Sequence, residues 1–92
     1  MQRQHFYRGV MGLGHVAVSR HAQDKMDREG ISQELFERVL FNPLEPDVQE
    51  DLDTIWRERE NVRLVIINPT PATGAKLVKT VFRIKPQGRA RF

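Results

Sequence analysis

Ninety-two residues carrying 15 basic and 12 acidic side chains give a net charge of +3. This is the size of one domain, long enough for a single unstapled core. There is no cysteine, which excludes a disulfide framework and thiolate metal ligands. The apolar runs fall far short of the roughly 20 residues that span a bilayer. The cationic N-terminus lacks the apolar stretch of a signal peptide, so a cytoplasmic protein with no membrane partner is expected. Residues 45–60 hold seven acids against two arginines, a local charge of −5, leaving +8 for the rest. One surface should therefore be acidic and another basic. A basic surface either attracts phosphates or simply solubilises. The acidic one is either a solvated face or a protein-docking surface.

Residues 1–14 read as a loose arm or a short edge strand. Gly9, Gly12 and Gly14 are not spaced as a phosphate-binding loop. His5, Phe6, Tyr7 and Arg8 either stack on bases or pack on the body of the domain. His15–Val18 reads as a short strand. It leads into Ser19–Ile31, which reads as one complete short helix. Ser19 suits an N-cap and Gly30 a left-handed stop with Ile31 as its apolar follower. Ala22 and Met26 form a thin core stripe, while His21, Lys25 and Arg28 share another face. Ser32 caps a second helix, whose Leu35, Phe36, Val39 and Leu40 make a solid apolar face and which stops at Asn42-Pro43.

The period then changes to two. A strand is expected within Asp53–Arg59, a hairpin turn at Glu60-Asn61, and the central strand over Val62–Ile67. Asn68–Gly74 reads as a loop. In the last strand, Lys76–Lys85, unbroken alternation would place Val78, Thr80, Phe82 and Ile84 on one face. The tail over residues 86–92 is basic. The expected fold is α+β: two consecutive helices on one face of a small antiparallel sheet, in the order β-α-α-β-β-β.

His21-Ala22, Lys25-Met26, Arg28, Gly30-Ile31, Asn42-Pro43 and Thr80-Val81-Phe82, in this order of elements, resemble a family of small prokaryotic and phage proteins. The likeness covers roughly residues 17–84. That family looks related to the metal-independent ribonuclease fold of RelE-like toxins, barnase and colicin-type tRNA nucleases. The chain departs from the pattern at Glu29, where the family tends to carry a basic residue. Arg28 is displaced by one position, about 100° around the helix.

The resemblance implies an RNA-directed protein of the ribonuclease-toxin type, with a protein partner such as an antitoxin or a host target. Metal-free cleavage needs proton transfer, for which histidine is suited, and cations for the charge that grows on phosphorus. On that reading His21 is the general base or acid, Lys25 and Arg83 hold the phosphate, and Thr80 donates to it. Arg28, Lys79, Lys85, Arg89 and Arg91 contact the RNA. Each has a plainer role. His21 can be a surface residue, Thr80 a buried hydroxyl, Trp56 core, and Lys79, Arg83 and Lys85 the solvated side of an edge strand. No His-x-x-x-His or clustered carboxylate spacing occurs, so no metal and no cofactor are expected. Two alternatives stand beside cleavage: a nuclease-like scaffold that only binds RNA, and a non-enzymatic docking protein for a larger nucleic-acid-handling partner.

Overall fold

The computed structural model of the chain describes residues 4–44, 46–51, 53–70 and 75–84. In chain order these form β1 (Phe6–Val10), β2 (Gly14–Val18), α1 (Arg20–Glu29), α2 (Gln33–Phe41), β3 (Val48–Asp51), β4 (Thr54–Arg59), β5 (Val62–Thr70) and β6 (Ala75–Arg83). The strands make one sheet in the order β1-β2-β6-β5-β4-β3. The helices pack on this sheet, α1 on β6 and α2 on β4 and β5, so the fold is α+β. The sheet is mixed rather than purely antiparallel, because β2 pairs with β6 in parallel. Parallel neighbours need a long crossover, supplied here by both helices and the β3–β5 meander. Among the described residues six strands stand where four were expected. The glycine-rich start contributes β1 as an edge strand, and the acidic segment contributes β3 on the opposite edge.

The caps follow the sequence. The Ser19 side chain accepts from Ala22 N–H and the Ser32 side chain from Leu35 N–H, each at 3.0 Å. Such a cap is typically worth about 1 kcal/mol. Gly30 takes φ +66°, and Ile31 N–H donates back to Met26 O at 2.9 Å, a left-handed stop that Gly accommodates without strain. At the β4–β5 turn, Glu60 and Asn61 both have positive φ, the twist-matching turn of a two-residue hairpin.

The core lies between the helices and one face of the sheet. Ala22 and Met26 of α1, and Phe36, Val39 and Leu40 of α2, close on Val16, Val18, Val62, Leu64, Ile66, Val78 and Val81. Val78 and Val81 are three apart, which unbroken alternation forbids. The cause is a register shift: Ile66 pairs with Val78 but Val65 with Thr80, leaving Lys79 as an extra residue. This bulge corrects the expected alternation of the last strand. Beyond it Val81 turns to the core, and Thr80 and Phe82 turn away. The bulge also docks α1, since Ser19 N–H donates to Val78 O at 3.1 Å and Ser19 Oγ to Lys79 O at 3.0 Å.

Candidate nucleic-acid interface

Arginines on the core side of the sheet hold the helix ends. Arg83 donates from its N–H to Glu29 Oε1 at 2.8 Å, from Nε to Glu29 O at 2.8 Å and from Nη2 to Gly30 O at 3.0 Å. It therefore satisfies the open carbonyls at the C-terminus of α1 and sits where the helix dipole favours a cation. Arg59 donates to Asn42 O at 2.8 Å at the end of α2. Arg57 is 5 % exposed and donates to both oxygens of Asp47, at 2.8 and 2.7 Å, to Leu40 O at 2.6 Å and to Met11 O at 3.3 Å. One side chain thus ties together β4, α2, the linker and the β1–β2 turn. The acids of residues 45–60 are accordingly internal partners in part. Asp47 serves Arg57, and Glu60 pairs with Arg38.

These contacts decide where the sequence-selected residues stand. Lys25 is bonded to Glu29 at 3.0 Å. The Glu29 carboxyl is held below the usual range, chiefly by the Arg83 backbone N–H and then by Lys25. Arg83 and Lys25 thus meet at the C-terminal end of α1. His21 is exposed near the N-terminal end, eight residues earlier, or about 12 Å along the helix axis. Thr80 lies on the far face of the sheet, paired with Val65. The structure therefore does not bring His21, Thr80 and Arg83 to one point, and the bulge at Lys79 is the reason for Thr80. Arg28 and Lys79 are exposed. Lys85, Arg89 and Arg91 lie outside the described residues.

The far face is the one whose members stay partly exposed. Register places its side chains in rows. Phe6, Ala17, Leu77 and Ile67 run across β1, β2, β6 and β5. Thr80, Val65 and Trp56 form the next row, and Phe82, Arg63 and Glu58 the one beyond. At one corner the Arg8 guanidinium lies 5.8 Å from the Phe6 ring centre, and the His15 ring 6.0 Å from it. At the other, Arg63 sits 4.0 Å over Trp56 and 5.7 Å from Phe82. Trp56 Nε1 donates to Glu50 at 2.8 Å, and Arg63 also pairs with Glu58. Two clusters of aromatic rings and cations thus flank an apolar floor that no helix covers among the described residues. The acids stand at the β3–β4 side, and Arg8 and Lys79 stand toward β1 and β6.

Sequence reasoning passed over Arg63 and Arg57. Alternation in Val62-Arg63-Leu64 carried the signal for the first, while nothing in composition marked the second as buried. Among the described residues no three His, Asp or Glu side chains group as metal ligands, and no helix is long and apolar enough to cross a membrane. Compared with known proteins, the chain matches no family model, no curated protein and no solved structure.

Proposed function

We propose that this chain is an RNA-directed protein that holds single-stranded RNA on the helix-free face of its sheet, without the His21 set acting as a cleavage centre. The observation that carries the reading is the pair of ring-and-cation clusters, Phe6/Arg8/His15 and Trp56/Arg63/Phe82, on either side of a half-buried floor. Unpaired bases stack on aromatic rings and on arginine planes. Phosphates are attracted to Arg8 and Lys79 and repelled from Glu50 and Glu58, which sets the strand toward the β1–β6 half. The resemblance to the RelE-like and barnase-type fold agrees with an RNA ligand.

The test uses Trp56, the only tryptophan. Its fluorescence is titrated with a short single-stranded RNA and with a duplex of equal length, across a range of salt. Saturable quenching by the single strand is expected. Two phosphate contacts, through Arg8 and Lys79, give a log–log salt slope of about −1.4. Phe82→Leu, which keeps an apolar side chain but removes the ring, should weaken binding by roughly fivefold or more, since one stacked base is worth about 1–3 kcal/mol. No quenching, or quenching unchanged in Phe82→Leu, would leave the docking reading. That reading is favoured by the exposed Met11, Phe41 and Leu44.

A further inference from the structure

The bulge at Lys79 does more than dock α1. It turns the Thr80 side chain onto the helix-free face of the sheet, and bulges commonly re-aim a side chain in this way. There Thr80 pairs with Val65, which pairs in turn with Trp56. Phe82 follows two residues along the same face, about 7 Å away. Thr80 is half-buried. Its hydroxyl has no hydrogen-bond partner among the described residues, yet it is not one of the buried polar atoms left unsatisfied. The oxygen is therefore open to solvent. The pairing of β2 with β6 ends at Val78, so Thr80 also stands at a step in the sheet. Lys79, the bulged residue beside it, is exposed.

Along β6 a lone hydroxyl thus stands between a cation and a ring. That order matches phosphate, ribose and base in a nucleotide. Arg63 lies 4.0 Å over Trp56 but 5.7 Å from Phe82, so Phe82 is the less covered of the two rings. The ribose 2′-hydroxyl both donates and accepts, as a threonine hydroxyl does, and it is the group by which a protein tells RNA from DNA. We infer that Thr80 selects ribose over deoxyribose, through a hydrogen bond to the 2′-hydroxyl of the nucleotide whose base stacks on Phe82. The inference rests on the sheet-face reading above and adds to it the choice of sugar. The hydroxyl is not needed for the strand itself, since valine fills nearly the same volume and suits a strand equally.

The experiment follows Trp56 fluorescence of the full chain with three oligonucleotides of one sequence, built of adenine and cytosine only: RNA, DNA and 2′-O-methyl RNA. The methylated strand keeps the ribose but has lost the hydroxyl proton. Wild type is expected to bind RNA about fivefold more tightly than either of the others, the worth of one net hydrogen bond. Thr80→Val should bind RNA no better than DNA, with its DNA affinity unchanged, and Thr80→Ser should keep the preference. Should Thr80→Val not fold, Thr80→Ala reads the same loss. Equal affinity of wild type for RNA and DNA would overturn the inference and leave the sheet face standing. So would a preference that survives in Thr80→Val, or one that 2′-O-methyl RNA retains in full. Quenching by none of the strands would remove the sheet-face reading and the inference with it.

Discussion

Arg57→Ala is expected to be the most damaging single substitution. The guanidinium is almost fully buried and makes four hydrogen bonds to three separate segments. Removing it strands the Leu40 carbonyl at the end of α2 and leaves the Asp47 carboxylate, whose side chain is 28 % exposed, beside apolar walls. Breaking a buried pair from one side typically costs about 3–5 kcal/mol, because an unpaired charge remains. A domain of this size has only about 5–10 kcal/mol in all. With about 4–8 °C of melting temperature per kcal/mol in a domain of 60–100 residues, the lower bound of 3 kcal/mol corresponds to a fall of about 12–24 °C. Urea unfolding followed by Trp56 fluorescence and by circular dichroism measures the loss. Asp47→Asn and the double variant complete a cycle that isolates the pair from the bond to Leu40. Arg38→Ala is the control, since Arg38 and Glu60 are 46 % and 44 % exposed, and it should change the midpoint very little. A loss under about 1.5 kcal/mol for Arg57→Ala, within the typical net worth of one hydrogen bond, would refute the view that this side chain joins the helix layer to the sheet.

Ser19→Ala should cost about 1 kcal/mol as a lost cap, and more if the bond to Lys79 O also orders the bulge; chemical unfolding reads the total. Gly30→Ala should lose roughly 1 kcal/mol, because an L side chain is strained at φ +66°. Glu29→Gln should lower stability at pH 7. The wild-type Glu29 carboxyl titrates lower folded than unfolded, so its contribution is complete above the unfolded carboxylate value and disappears as pH falls through the lowered folded one. The gap between the two proteins should therefore close in acid, as melting curves from pH 7 downward will show. His21→Ala should leave RNA affinity within twofold of wild type in the fluorescence titration, since the imidazole lies on the helix side.

The helices were legible because their signals are local. Ser19, Gly30 and Ser32 are caps whose chemistry is complete within a few residues, and the Phe36/Val39/Leu40 stripe repeats with the helical period. The Glu60-Asn61 turn was legible for the same reason. The bulge at Lys79 was not, because Lys-Thr-Val continues an ordinary alternating strand and the shift is set by where Ser19 docks from 60 residues away. That one residue decides whether Thr80 faces the helices or the open sheet, so the His21–Thr80–Arg83 grouping could not be judged from spacing. Charge misled in a related way. Arg83 reads as a phosphate-holding residue in sequence, yet its side-chain donors end on the main-chain carbonyls of Glu29 and Gly30 at the end of α1. Arg63, on which the proposed RNA face relies, sits inside the most apolar run, where only its alternation with Val62 and Leu64 marks it as facing away from the core.

The most direct measurement is an amide chemical-shift map of the chain saturated with a short single-stranded RNA. The sheet-face assignment predicts shifts at Phe6, Arg8, His15, Leu77, Thr80, Phe82, Arg63 and Trp56, with α1 unmoved. Shifts centred on His21, Lys25 and Arg28, or none that saturate, would contradict it.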